Sequence, residues 1–442
     1  TRTLARDLRV ARAPVVLAFE QLTTEGCIQG RGAAGTFVSA LSFSRAAAPR
    51  VGTTEKSPTV VTSSHSRPSE PAVSRPFRLG EPALELFPAR VWNRLHARRA
   101  RASGYRLLGY GRGNGYLPLR RAIGEYTAAS RGVRASTDQV VLCRGAQQAI
   151  DLATKALIRP GDTVWLEDPG YPPARRVFES GGAIVAPVPV DENGLIVDAG
   201  IRAAPHARLT YVAPSHQFPL GSAMSLERRL ALLDWAAHAK AWIVEDDYDS
   251  EFRYPGRPLA SLQGLDRAGR VLYLGTFSKT VFPALRLGYL IVPNDLIDRF
   301  IEARAIADHM APTVEQAALA DFIDQGHFTR HLRRMRDAYG ERQEALLVAA
   351  QRETSDLMTV EPADAGMHAI GWLRDPLDDV QASRSALEHG VEAPALSSYC
   401  LRTRLAPALL LGFSSVPPRG IPSALRKLHA AVVNASRGLR KA

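Results

Sequence analysis

Lys279 lies in the stretch GTFSKTVFPALRLGYL, residues 275–290, directly after a serine and seven residues before Arg286. The preceding run RVLYL is rich in leucine and β-branched residues and predicts a buried strand. That places Lys279 in a loop just past the C-terminal end of a strand, the edge where open α/β sheets bind ligands. A lysine there costs desolvation unless it is paired or chemically used. An amine so placed can condense with an aldehyde to form an imine. The plain alternative is a surface lysine.

Other residues bear on the same chemistry. In VEDDYDSEF, residues 244–252, Asp246 and Asp247 follow the apolar run AWIV and so sit at a strand end too. A carboxylate at that edge can keep a pyridine nitrogen protonated; a solvated acidic turn is the alternative. In CRGAQQAIDLATKAL a strand ends, Gly145 turns the chain and a helix starts near Ala146. A helix N-terminus offers unpaired N–H groups and a positive dipole end, a natural phosphate seat, although many strand-to-helix turns look alike. EDPGYPPARR places Tyr171 after a Pro-Gly turn, suited either to the core or to stacking on a planar ligand. APSHQFPLG puts His216 and Gln217 on a further strand-end loop. An imine-forming lysine, a carboxylate for a ring nitrogen, a phosphate seat with an arginine and an aromatic cover are together the requirements of pyridoxal 5′-phosphate. The three cysteines, Cys27, Cys143 and Cys400, have no metal-like spacing and cannot pair evenly. No metal site and no disulfide framework are expected, and a reducing compartment is.

The elements that must position these residues alternate along the chain. DQVVLCRG, DTVWLEDP, GGAIVAPVPV, RLTYVAPS, AWIVEDDYD and RVLYLGTFS are strand candidates. QQAIDLATKAL, ERRLALLDWAAHA and the long 313–352 region are helix candidates. The alternation predicts an α/β unit, a mainly parallel sheet covered by helices on both faces, over residues 76–354. Residues 355–442 read as a smaller α+β domain, with strands in MTVEPADAGMHAIGWL and a helix in SALRKLHAAVVNA. Residues 44–75 are rich in Ser, Thr, Pro and Ala, cannot bury enough surface to offset their ordering entropy, and read as a flexible linker.

The bulk properties fit a soluble globular protein: 442 residues, 45% hydrophobic, 23% charged. No apolar run approaches a membrane span, and APVVLAF is too short for a signal peptide, so a cytoplasmic protein is expected. The net charge of +12 permits polyanion binding without proving it.

Residues 1–43 carry a different pattern. Leu4, Leu8 and Val10 mark one helix and its exit, and Val15, Phe19 and Leu22 mark a second at helical spacing, with Pro14 in its first turn. CIQGRGAAGTFV then reads as two short strands around a Gly-rich turn, a wing. Arg9 and Arg12 flank the start of the second helix, where a recognition helix contacts DNA, and Arg31 on the wing is placed for phosphate. An amphipathic helical hairpin packed on the large domain is the alternative.

SKTVFPALRLGY resembles the S-K-x-x-x-P-x-x-R-x-G signature of fold-type I aminotransferases. EDDYDSEFRY, GAQQAIDL, DPGY and SHQFPLG are similar to the version found in MocR-type regulators of the GntR superfamily. The similarity runs from about Arg78 to the C-terminus with the motifs in the family's order, and residues 1–43 resemble the second half of a GntR-type winged helix-turn-helix whose first helix is missing, a partial module. The resemblance implies a fold-type I architecture and a role for each residue. Lys279 would carry the cofactor as an internal aldimine, Asp246 would pair with the pyridinium nitrogen, and Tyr248 would hydrogen-bond the phenolic oxygen, helped by His216 or Gln217. Tyr171 would stack on the ring, and Gly145, Ala146, Gln147, Thr276, Ser278 and Arg286 would hold the phosphate.

Two departures stand out. Leu410 occupies the position expected for the arginine that reads a substrate carboxylate, with Arg402 and Arg404 as possible substitutes, and Phe218-Pro-Leu-Gly replaces the usual Asn-Pro-x-Gly. Efficient transamination of ordinary amino acids is therefore not expected. The resemblance implies a homodimeric, DNA-binding transcription regulator. Its pyridoxal-phosphate domain would sense an amino compound or the vitamer itself, with chemistry limited to aldimine exchange or partial transamination. A metabolic aminotransferase with a vestigial N-terminal segment is the alternative.

Overall fold

The computed structural model describes residues 15, 28–30, 36–38, 75–102, 104–254, 260–374 and 377–439, and divides the chain into two units, Thr1–Pro68 and Ser69–Ala442. In the first unit, β1 (Ile28–Gly30) and β2 (Thr36–Val38) pair antiparallel, with Ile28 opposite Val38 and Gly30 opposite Thr36. These are the two short strands expected in CIQGRGAAGTFV. Arg9, Arg12, Arg31, the helical patterns around them apart from Val15, and the segment 44–74 lie outside the described residues.

In the second unit the apolar runs assemble one sheet. Its strands are β3 (Val140–Cys143), β4 (Thr163–Asp168), β5 (Ile184–Asp191), β6 (Gly194–Leu195), β7 (Leu209–Val212), β8 (Trp242–Asp247), β9 (Val271–Thr276) and β10 (Gly288–Ile291). Their spatial order is β3-β10-β9-β8-β7-β4-β5-β6. The pairs β5–β4, β4–β7, β7–β8 and β8–β9 are parallel, so the carboxyl ends of these strands share one edge. β10 runs antiparallel to both β9 and β3. Every residue of β3, β7, β8, β9 and β10 is buried, as expected of strands covered on both faces.

Successive side chains alternate between the two faces. Val244 and Leu272 pack with Ile150, Leu152 and Phe300, from the helices Ala146–Leu157 and Ile297–Ala307. Their neighbours Ile243 and Val271 pack on the opposite face with Leu232 and Trp235 of the helix Leu226–Ala239. There Trp165 and Trp235 stack with ring centroids 3.7 Å apart. The helix Leu226–Ala239 starts where Ser225 accepts the Arg228 N–H through its side chain, a cap that contributes about 1 kcal/mol.

The helical pattern over 313–352 is two helices, Thr313–Asp324 and His327–Glu353, parted at Gln325 and Gly326. Beyond them β11 (Met358–Val360), β12 (His368–Leu373) and β13 (Ala408–Gly412) form an antiparallel sheet flanked by the helices Asp379–Glu388 and Ile421–Leu439. Phe77 bridges to Gly412 and the Pro76 carbonyl accepts the Glu392 N–H, so the chain reaches this sheet before it enters the larger layer. Among the described residues no helix is long and apolar enough to cross a membrane.

Candidate functional site

The carboxyl ends of β8 and β9 bring the two central residues to one edge. Asp246 lies opposite Leu274 in the ladder, and β9 ends at Thr276, three residues before Lys279. Lys279 is half-buried, and its Nζ donates to the Gly80 carbonyl at 2.6 Å. Gly80 has φ +66°, and a Cβ there would sit 2.4 Å from that nitrogen, so only glycine allows the contact. Burial lowers the Lys279 pKa below the ordinary lysine range, opposed by the nearby Asp249, Asp246 and Glu81 carboxylates. An amine so placed is more readily neutral, hence nucleophilic.

Asp246 is buried, and burial pushes its carboxyl up to about 7 against the opposing hydrogen bond from the Tyr211 hydroxyl to Oδ2. Its second oxygen, Oδ1, is buried without a hydrogen-bond partner. A buried acceptor with nothing to accept from is costly, and it suits a protonated ring nitrogen. Behind it, Tyr211 on β7 and Glu167 on β4 line a small cavity with Tyr171, Arg175 and Tyr399. Burial raises the Glu167 carboxyl to about 8, although the Ala213 N–H and the Gln217 amide donate to it.

The other face of β8 is locked from below. The Glu245 carboxylate accepts the backbone N–H groups of Leu262 and Gln263 at 2.8 and 2.9 Å. Asp247 Oδ2 accepts from Arg131 Nε at 2.7 Å and from the Tyr273 hydroxyl. Arg131 also donates to the Ser215 hydroxyl, next to His216. Pairing these buried charges fixes β8 and the 215–217 loop to the same support.

Tyr248, His216 and Asp249 form one cluster. His216 Nδ1 lies 2.9 Å from Asp249 Oδ1 and 2.8 Å from the Tyr248 hydroxyl. His368 packs beside His216 with ring centroids 5.6 Å apart, its Nε2 set 2.9 Å from the Pro219 carbonyl. Burial, with His216 alongside, holds His368 down to about 4, so it is neutral. Gln217 has a different engagement. Its amide nitrogen donates to the carbonyls of Pro169 and Phe218 at 2.8 and 2.7 Å, and its oxygen accepts the Leu220 N–H at 3.0 Å. It braces two loops against each other.

Tyr171 is the residue before the helix Pro172–Ser180 and meets Phe218 edge-on, with centroids 5.8 Å apart. Burial, with Asp246 nearby, raises its hydroxyl to about 12. Its turn is fastened to the C-terminal sheet's loop. Asp168 accepts the backbone N–H groups of Leu401, Arg402 and Thr403 at 2.6, 2.7 and 2.8 Å, and the Gly170 N–H donates to the Tyr399 carbonyl. The side chains of Arg402 and Arg404 are exposed. Leu410, at the centre of β13, is wholly buried in an apolar cluster with Leu396 and Ala408, against Leu79, Leu220, Ile370 and Trp372.

Where a phosphate seat is expected, Gly145 with φ +89° precedes the helix Ala146–Leu157. The Arg286 guanidinium lies over it, with Nη1 3.8 Å from where a Cβ would stand. The Thr276 hydroxyl accepts the Ser278 N–H at 3.2 Å and lies the same distance from the Ser278 hydroxyl. Ala146 is half-buried on the first turn, and the exposed Gln147 reaches the Pro173 carbonyl at 3.3 Å. The unpartnered Asp246 Oδ1, the Lys279 amine and this helix terminus under an arginine fit pyridoxal phosphate. Sequence reasoning missed Tyr211, Gly80, Glu167, Asp168 and Arg131, which act through partners remote in the chain.

The family described as aminotransferase class I and II matches residues 80–407. The probable rhizopine catabolism regulatory protein MocR of Rhizobium meliloti is 38% identical over 440 residues, 98% of this chain and 88% of that protein. The HTH-type pyridoxine biosynthesis transcriptional regulator PdxR of Corynebacterium glutamicum is 30% identical over 418 residues, 94% of this chain and 86% of that one. Among solved structures, LysN, an α-aminoadipate aminotransferase from Thermus thermophilus, superposes with a TM-score of 0.75 at 30% identity, covering 82% of this chain and 92% of its own. That structure holds N-(5′-phosphopyridoxyl)-L-leucine.

Proposed function

The chain belongs to the aminotransferase class I and II family and, within it, to the MocR-type regulators, and from that premise we propose that it controls transcription in response to an amine. Residues 1–43 would read DNA through Arg9, Arg12 and Arg31, and residues 44–75 would serve as linker. Residues 76–354 and 355–442 would form the large and small parts of the sensor. One observation carries this reading: the regulators align over 98% and 94% of the chain, whereas the aminotransferase structure covers 82%. The portion preceding the sensor is shared with proteins named as regulators. We place the protein in the cytoplasm as a homodimer, the arrangement expected of fold-type I sites.

The cofactor is pyridoxal phosphate, and when bound it supplies an exchangeable aldehyde and a ring that withdraws electrons. The chain's own residues do the rest. Lys279, its proton affinity lowered by burial, would present a nucleophilic amine to the aldehyde. Asp246 Oδ1 would hold a proton on the ring nitrogen while Tyr211 fixes Oδ2. The Tyr248 hydroxyl, steadied by His216 and Asp249, would hydrogen-bond the phenolic oxygen, and Tyr171 would cover the ring. Arg286, Thr276, Ser278 and the N–H groups after Gly145 would seat the phosphate. An effector amine would displace Lys279, so the sensor's occupancy is read as a choice between two amines.

A metabolic aminotransferase is the second reading, favoured by the pairing of Lys279 with Asp246 at one sheet edge. Leu410 weighs against it, because an apolar side chain stands where the arginine that reads a substrate carboxylate is expected. Footprinting on DNA upstream of the protein's own gene, with and without pyridoxal phosphate, separates the two. A protected, salt-sensitive site supports the regulator. Steady turnover of an amino acid and a keto acid without protection would overturn it.

A further inference from the structure

The helix Ala89–Ala102, ARVWNRLHARRARA, has five arginines and no carboxylate. Its buried residues Trp92 and Leu95 face inward, Trp92 edge-on to Phe322 of the helix Thr313–Asp324 at 6.0 Å. Arg90, Arg94, Arg98 and Arg101 are exposed, at spacings of four, four and three, which puts them on one face. The positions between them on that face are Asn93 and alanines, which leave the guanidinium groups unobstructed.

This pattern works against the helix itself. Arginines four apart repel one another, and Arg90 in the first turn opposes the positive end of the helix dipole. Neighbouring acids relieve only part of it. Asp321 takes Arg98 at 2.7 Å and Arg99 through both oxygens, and Glu315 lies 3.7 Å from His96. Asp324 also lies near Arg99. Among the described residues no carboxylate pairs with Arg90, Arg94 or Arg101. The adjoining helix His327–Glu353 adds exposed Arg330, Arg333 and Arg334, and Arg94 and Arg330 both act on His327. A local rule broken with no gain inside the fold points to a partner outside it.

We propose that this arginine face is a second DNA contact, on the sensor rather than the reader, and that it holds the phosphate backbone of duplex DNA without reading sequence. From Arg90 to Arg101 the stripe is about 16 Å long, over which one strand presents roughly five phosphates. Guanidinium groups on a ridge of small residues suit phosphate oxygens, whereas an acidic protein surface would call for apolar anchors among them. The proposal rests on the regulator reading.

The test uses the full chain with two probes of equal length: duplex DNA from upstream of its own gene, and a mixed-sequence duplex. The variant is R90Q/R94Q/R101Q, which removes repulsion and keeps good helix formers. Its affinity for both duplexes should fall at least about tenfold at moderate salt, and its slope of log affinity against log salt should drop by about 3. R90K/R94K/R101K should keep most of the slope, because a phosphate contact accepts either cation. Wild-type protein that binds neither duplex would overturn the regulator reading and this proposal with it. Wild-type binding with an unchanged slope in the glutamine variant would overturn this proposal alone. An unchanged slope coupled to lost binding of phosphatidylglycerol–phosphatidylethanolamine vesicles would overturn it in favour of a membrane surface.

Discussion

Tyr211 donates its hydroxyl hydrogen to Oδ2 of Asp246, and the other oxygen of that carboxylate is buried with no partner. One oxygen is held and one is on offer. Tyr211→Phe would leave both unpaired, making the acid form easier to reach. Losing a hydrogen bond to a charged group costs about 1.5–3 kcal/mol, so the affinity for pyridoxal phosphate should fall roughly ten- to hundredfold. Titration of the bound cofactor's absorbance against pH should also shift. Unchanged affinity with an unchanged pH profile would remove Tyr211 from the site.

Lys279→Ala should abolish the covalent, borohydride-reducible attachment of pyridoxal phosphate while leaving reversible binding through the phosphate seat. The check is mass spectrometry of the reduced protein. A reducible attachment that survives in the variant would place the anchoring amine elsewhere.

Arg286 lies over the N-terminus of the helix Ala146–Leu157. Arg286→Gln should weaken pyridoxal phosphate by roughly tenfold or more, the weight of one charge-assisted contact, and should barely affect pyridoxal, which has no phosphate. The ratio of the two dissociation constants is the readout. Equal losses for both would mean that Arg286 supports the fold and not the phosphate.

Glu167 supplies a test in pH. Its folded pKa is raised by burial to about 8, well above an unfolded glutamate. Between the two values the folded state binds the extra proton, so the stability this group contributes is fully present below the unfolded pKa and lost as pH rises towards the folded one. Glu245 and Asp246, both raised to about 7, act in the same direction. Cofactor-free protein should therefore lose thermal stability as pH climbs from about 5 to about 8, and Glu167→Gln should flatten that slope. Identical slopes for the variant and the parent would mean that Glu167 is ionised in the fold.

Much of the sheet was legible because two-sided burial writes strands as apolar runs with polar residues at their ends. AWIVEDD and RVLYLGT gave β8 and β9, and with them the edge that carries Asp246 and Lys279. The direction of β10 was not legible, since GYLI reads the same whichever way it runs. β13 was seen only as the setting of Leu410. The supports were hidden for a different reason. Tyr211 and Asp246 are 35 residues apart, Gly80 and Lys279 are 199 apart, and Asp168 and Leu401 are 233 apart. Nothing local in those stretches announces a partner at that distance. Gln217 reads as a site residue from its loop, and its amide meets Glu167, Pro169, Phe218 and Leu220.

Asp168 grips three consecutive amides of the 401–403 loop, and three residues further on the same turn hands over to Tyr171. The turn that carries Tyr171 and the loop leading into β13 are thus riveted together. A shift of the 401–403 loop would bear directly on that turn through the Asp168 hydrogen bonds, with no intermediate side chain.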